Sequence, residues 1–340
     1  MPVDRSNLTG VALVLLAGIL WGAMGTSVQY LFSSGAFETP LELVTLRQLC
    51  AGSLFVLVMS LVRPRAIWRL WTDRRMVIDA AVSGALLFGA HNAFFESIYY
   101  SNAGTGAILL VTVPLWCGLW SAIVNRRPVP RLEIACFLLA AAGVSLIVTD
   151  GDFSGLVFSP MAIVWGLVSS FMAAAYNIQS KRLVARAGVV PALAWGLVFG
   201  GVWASVFCNP LSISAEWTAA SAGAFAFLVL FGTMFAFWSF LAGLRHVSPV
   251  VAGLLNSAEP LAGYFFSMLF LGDVLGFWQT AGIALVIANV ALLAFRKNRA
   301  NALSTQLHEK GRHRHAHRMG KGLQAPIIWR VRNTLRKIPC

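Results

Sequence analysis

Ten stretches of this chain each run for about twenty residues with almost no charge, and that property decides what it can fold into. The hydrocarbon core of a bilayer is about 30 Å thick and holds no water, so a crossing segment must satisfy its own backbone. A helix of roughly 20 apolar residues does so. The stretches are Val11 to Phe32, Leu41 to Val62, Val77 to Tyr99, Ala103 to Val124, Leu132 to Thr149, Pro160 to Ser180, Val190 to Cys208, Thr218 to Leu241, Pro249 to Leu271 and Gly276 to Phe295. With 58% hydrophobic residues and 11% charged, a soluble domain is excluded. The expected fold is an all-α integral membrane protein of ten transmembrane helices.

The net charge of +13 would suit nucleic acid, but its distribution has a simpler cause. Arg63, Arg65, Arg69, Arg74 and Arg75 share one loop; Arg126, Arg127 and Arg131, then Lys181, Arg182 and Arg186, then Arg245 follow in every second loop. The alternate loops carry Glu38, Asp150, Asp152, Glu216 and Asp273 and no Lys or Arg. By the positive-inside rule both termini are expected in the cytoplasm, which an even number of spans requires. The first run reads as an uncleaved helix rather than a signal peptide. Cys50, Cys117, Cys136 and Cys208 lie inside apolar spans without paired spacing, so neither disulfides nor a metal site is expected, and no cofactor.

The chain also repeats itself. The segment from Tyr100 to Val148 slides without a gap onto the one from His246 to Ala294, placing Pro114 on Pro260, Ala135 on Ala281 and Val144 on Val290. Trp21 with Gly22 in the first span is answered by Trp165 with Gly166 in the sixth. The repeat therefore covers five helices, and five is odd, so the second copy must enter the membrane from the opposite side. Inverted repeats place a binding site near the midplane between them, from which alternating access follows. The expected units are residues 1–150, 151–297 and a basic cytoplasmic tail, 298–340.

On these residues the chain resembles the drug/metabolite transporter superfamily, EamA-type, in its ten-helix form. The resemblance rests on the Trp-Gly pairs, on Arg47 in TLRQLCAG, on Pro114 in VTVPLW and on the run Ser257 to Gly263 with Leu271 to Asp273. The first copy departs from the second by holding Val113 where the second has Glu259. Within the superfamily the polar and aromatic third span, GAHNAFFESIYYSNAG, is most similar to YddG-like aromatic amino acid exporters. The resemblance implies export of a small metabolite across a bacterial inner membrane.

Ionisable groups in hydrocarbon usually face a cavity or a partner. His91 and Asn92 stand near the middle of the third span, with Phe95 and Tyr99 on the same helical face as His91. That stripe offers stacking, cation–π attraction and hydrogen bonds to a substrate; it would equally bond a neighbouring helix and face lipid. Glu96, nearer the outer end, reads as a gate or as a surface group. Glu259 precedes Pro260, which frees the turn holding Asn256, so it serves either as a proton site, ammonium partner or switch with Arg47, or as a tie to the kink. Arg47 reads as a carboxylate clamp or a tie to a neighbouring helix. Trp21, Trp116, Trp165 and Trp238 fall at comparable depths, and Tyr176 and Asn177 add polar groups to the inner half of the sixth span. The substrate-binding candidates are thus His91, Asn92, Phe95, Tyr99, Trp21, Trp116, Trp165, Tyr176, Asn177, Trp238 and Asn256, with Arg47, Glu96 and Glu259 for gating or coupling.

The tail gathers His308, His313, His315 and His317 among Arg and Lys, a pattern of solvated tails more than of metal sites. Ile327 to Ile338 has the character of a short helix on an anionic leaflet. The leading reading is a secondary transporter exporting amino acids, aromatic ones included, with the lipid bilayer and a small-molecule substrate as its partners. A quaternary-ammonium exporter is the alternative and would want a carboxylate in the first span, which has none. An intramembrane enzyme lacks its motifs: His91 and Glu96 miss the HExxH spacing, and no GxSxG or GxxxxGK[ST] occurs.

Overall fold

Four of the longer helices begin where the sequence supplies a capping side chain, two of them with a proline in the first turn, and these starts fall at the ends of the apolar runs. The computed structural model describes residues 5–110, 112–124, 126, 135, 138–139, 142–143, 145–146, 149–152, 159–247, 255, 258–274, 276–285 and 287–288. Its helices are α1 (Arg5–Ser33), α2 (Pro40–Val62), a short α3 (Pro64–Trp68) with a 3-10 turn after it (Arg69–Thr72), α4 (Arg74–Tyr99), α5 (Ala103–Leu110) and α6 (Val113–Val124). Then come α7 (Pro160–Ala187), α8 (Val189–Phe207), α9 (Ala219–Val229), a π-helical turn (Leu230–Phe235), α10 (Ala236–Gly243) and α11 (Ala258–Leu271). Thr39 and Glu42 close a capping box on α2, Thr218 and Ser221 one on α9, and Asp73 and Ser159 cap α4 and α7. These side chains satisfy backbone N–H groups that a helix start leaves open.

Among the described residues seven helices are long and apolar enough to cross a membrane: Leu8–Ser33, Pro40–Val62, Arg74–Tyr99, Ala103–Val124, Pro160–Ala187, Val189–Phe207 and Ala219–Gly243. They coincide with seven of the ten expected spans. Most of the fifth and parts of the ninth and tenth lie outside the described residues, as does the tail. Two boundaries differ: α1 begins at Arg5, six residues before the expected start, and α7 continues to Ala187, seven residues past the expected end, where Lys181, Arg182 and Arg186 extend the helix beyond its apolar run. The fourth span is two helices, α5 and α6. A proline at position 114 has no N–H to donate to the carbonyl of Leu110, and Thr112 between the two helices is a turn residue.

Side-chain contacts sort the helix ends into two sets. Gly10 at the start of α1 lies against His246, just past α10; Asp79 in α4 stands 4.0 Å from Arg186 in α7; and Trp195 in α8 donates to the carbonyl of Ile67 in α3 at 2.9 Å. This is the basic end. At the other, Glu216 N–H donates to the carbonyl of Ala36 at 3.2 Å and Gln279 N–H to Asp150 at 3.2 Å. That acidic end also holds Glu38 and Asp273.

Helices approach through small residues, as they must where lipid supplies no hydrophobic force between them. A Cβ on Gly22 would fall 2.5 Å from Gly263 N, so α1 and α11 meet backbone to backbone. Gly166 in α7 is filled in the same way by Leu109 of α5. In α8, Gly200 and Gly201 receive Gln48 and Leu49 of α2. The helices of the two sequence halves thereby interleave around α1, α2, α4 and α8.

Candidate functional site

Two features of the bundle are not explained by packing. The first is a polar cluster among α2, α4 and the π-helical turn. Among the described residues Arg47, 0% exposed, is the largest fully buried side chain. Its Nε donates to Thr233 Oγ1 at 3.1 Å, and its guanidinium carbon stands 5.2 Å from the centroid of the Phe95 ring. Thr233 Oγ1 in turn donates to the carbonyl of Leu228 at 2.8 Å, a partner five residues back. One turn deeper, Gln48 Nε2 and His91 Nδ1 share a hydrogen bond at 3.0 Å. The spacing explains the company: His91 and Phe95 are four apart on α4, so the ring under Arg47 and the imidazole beside Gln48 lie on one face. Among the described residues the buried side-chain atoms without a hydrogen-bond partner are Arg47 Nη1 and Nη2, Gln48 Oε1, Asn92 Oδ1 and Ser239 Oγ. All but the last belong to this cluster of spans two and three.

The second feature is a cleft of about 420 Å³ between α4, α6 and α7. Trp116, Trp120 and Phe171 make its apolar wall; Asp79, Gln179 and Arg182 line its basic-end mouth. Ser170 holds Trp116 of that wall, accepting from Thr112 Oγ1 at 2.8 Å and from Trp116 Nε1 at 2.9 Å. Thr112 Oγ1 also reaches the carbonyl of Leu109 at 2.7 Å. The break in the fourth span is thereby tied to α7. At the mouth Gln179 bonds Ser83 and the carbonyl of Asp79, and Arg75, Arg182 and Arg186 surround Asp79.

The opposite, acidic end is closed where the cleft is open. Gln29 Nε2 donates to Asp273 Oδ2 at 2.9 Å, and its Oε1 accepts from the backbone N–H of Ala103 at 2.8 Å. One side chain of α1 thus joins the end of α11 to the start of α5. Beneath it Thr26 reaches the carbonyl of Gly263 at 3.4 Å, and Tyr264 meets Thr105 at 3.3 Å.

The structure brings Arg47, His91 and Phe95 together, with Asn92 next to His91 on α4, and puts Trp116 on the cleft. Trp21 is buried edge-on to Phe237 with centroids 5.0 Å apart, and Tyr176 packs beside an apolar cluster that includes Phe237. Trp165, Glu96 and Glu259 are half-buried. Tyr99, Asn177 and Trp238 lie at the surface of the bundle, Tyr99 against Phe32 and Trp238 stacked on Phe235. Asn256 is outside the described residues. Sequence reading overlooked Gln48, Thr233, Ser170 and Gln29. Each is a polar residue in an apolar run, and that isolation was the signal available for finding them.

A bundle of membrane-spanning helices with a buried polar cluster, a cleft toward its basic end and a hydrogen-bonded latch at the other has the form of a carrier. The sequence model of the EamA-like transporter family matches residues 8–149 and 160–295, and the chain belongs to that family. It is 28% identical over 297 residues to the uncharacterized inner membrane transporter YicL of Salmonella typhimurium, covering 86% of this chain and 98% of that one. With the uncharacterized inner membrane transporter YedA of Escherichia coli K12 it shares 24% identity over 82% of this chain and 88% of that one. A solved structure, titled only as a crystal structure of a protein, superposes with a TM-score of 0.58 at 18% identity, over 84% of this chain and 98% of the other. This is a multi-pass protein of the bacterial inner membrane and a transporter.

Proposed function

We propose that the protein is a secondary transporter that exports amino acids, aromatic ones among them, and related small metabolites across the cytoplasmic membrane by alternating access. The cleft carries the reading. Its volume lies within the roughly 300–1,000 Å³ of small-molecule sites, and its lining is an aromatic wall with polar groups at one mouth. That lining suits an amphipathic molecule with a flat side chain. The names of the relatives speak of transport and not of catalysis.

The two-fold inverted architecture, residues 1–150 against 151–297, has its own support. Ser170 follows Trp165 by five residues as Thr26 follows Trp21, and each hydroxyl reaches the partner helix of its own Trp-Gly span. The family matches fall in two segments of similar length, one in each half. With ten spans and the basic end in the cytoplasm, the open cleft is the cytoplasmic entrance and the Gln29 latch the closed periplasmic exit. A quaternary-ammonium exporter fits less well, since α1 offers no carboxylate and Asp79 at the mouth is already paired with Arg186.

The test is flux. Purified protein in liposomes is expected to move labelled phenylalanine above the rate of empty vesicles and faster than threonine, with and without a pH gradient to separate a facilitator from a proton-coupled carrier. Movement of neither amino acid, with movement of a quaternary ammonium, would replace this reading by the drug-exporter one.

A further inference from the structure

The buried guanidinium of Arg47 has a function that packing does not provide. A cation removed from water costs several kcal/mol unless it is paired and fully hydrogen-bonded. Arg47 spends its Nε on Thr233 and its lower face on Phe95, which leaves the Nη1 and Nη2 edge without a partner. Among the described residues the ion pair is Arg186 with Asp79, at the basic end. No carboxylate of the described residues hydrogen-bonds to Arg47 Nη1 or Nη2. The open edge is the one whose two parallel N–H groups match the two oxygens of a carboxylate. Thr233 and Phe95 hold the guanidinium plane in place before anything binds.

A second orphan supplies the complement. Asn92 Oδ1 is a buried acceptor without a donor, three residues before Phe95 and so on the neighbouring face of α4. An acceptor there suits an ammonium. Gln48 Oε1 is different: it lies against Gly200 in α8.

We propose that Arg47 is the carboxylate-binding residue of the transport site, taking a substrate's α-carboxylate end-on through Nη1 and Nη2 while Asn92 Oδ1 accepts from its α-ammonium. The inference rests on the transport reading above and names the part of the substrate that the core recognises. It follows that the carboxylate is obligatory and the amine secondary.

The experiment is a melting series on the purified full chain in nanodiscs with four probes: phenylalanine, phenylpropionate, phenylalanine amide and phenethylamine. Phenylalanine and phenylpropionate are expected to raise the melting temperature, and the two probes lacking a carboxylate are not. Arg47→Gln is expected to weaken phenylalanine about 30-fold or more, the loss typical of truncating one side of a buried charge contact. Arg47→Lys keeps the charge but loses the paired geometry and is expected to recover only part. Without ligand, Arg47→Met should melt at or above the wild-type temperature, since it removes an unpaired buried charge; a structural arginine would instead lower it. Equal stabilisation by phenethylamine and phenylalanine would overturn the carboxylate site while leaving an aromatic substrate. Stabilisation by glutamate or threonine alone, lost in Arg47→Gln, would uphold Arg47 and overturn the aromatic preference. No shift with any of these carboxylates would overturn the site.

Discussion

Replacing Gln29 by alanine tests whether the acidic end is a gate. In the closed arrangement Gln29 makes two hydrogen bonds, one to the Asp273 carboxylate at 2.9 Å and one from the Ala103 N–H at 2.8 Å. A hydrogen bond to a charged group contributes about 1.5–3 kcal/mol and a neutral one about 1 kcal/mol. Both are only part-buried, and water replaces some of what is lost, so a net of about 1.5–3 kcal/mol is reasonable. At 1.4 kcal/mol per factor of ten, the closed state loses about 10- to 150-fold of its advantage over the open one. Thr26, one turn deeper on α1 and 5% exposed, is the position at which to read this. Its own bonds are long, 3.4 Å to Gly22 and Gly263, so Thr26→Cys disturbs little. In a background with the five native cysteines replaced, and in nanodiscs where both ends meet solvent, a charged thiol reagent should label Cys at this position about 10- to 100-fold faster when Gln29→Ala is added. Gln29→Glu, which sets a carboxylate against Asp273, should open the end at least as far. Labelling at an unchanged rate in both variants would refute the latch.

Other outcomes follow from the same contacts. Ser170→Ala leaves Trp116 Nε1 without its acceptor and removes the partner of Thr112, at a cost of about 1–3 kcal/mol, and a lower melting temperature with slower phenylalanine flux should show it. Gly22→Ala drives a Cβ to 2.5 Å from Gly263 N, an overpacking of about 1–3 kcal/mol, whereas Gly223→Ala meets nothing within 4 Å; thermal denaturation of the pair should separate them by several degrees. His91→Ala removes the partner of Gln48 beside Arg47, and in liposomes it should lower phenylalanine flux without loss of folded protein.

The helices were legible in the sequence because the bilayer leaves so few alternatives. Apolar length alone located seven spans within a few residues, except at the start of α1 and at the end of α7, where basic residues carry the helix past its apolar run. The centre was only half legible. Arg47, His91 and Phe95 stood out because charge and polarity are costly in hydrocarbon, and helical spacing put His91 and Phe95 on one face. Their partners were not readable, since Thr233 lies 186 positions from Arg47 and Gln48 lies 43 from His91, and only tertiary packing joins each pair. Aromatic residues misled for a related reason. A tryptophan serves as well at the bundle surface, where Trp238 sits, as at a cleft wall, where Trp116 sits, and composition does not tell these apart.

The π-helical turn in the eighth span also sets a limit on sequence change. A π turn is an α-helix holding one residue more than its pitch allows, so α9 and α10 are out of phase by about 100° of rotation. Each segment faces the core with its own set of residues, Leu228 and Val229 before the turn, Ala236 and Ser239 after it. Deleting a single residue, Phe231 for instance, would let the helix close up into regular pitch. Every side chain beyond it would then swing by a quarter turn or more: Thr233 would leave Arg47, and the stripe that meets Trp21 through Phe237 and Phe240 would rotate toward lipid. Relatives that carry this site should therefore tolerate substitutions across Leu230–Phe235 far better than a change of length.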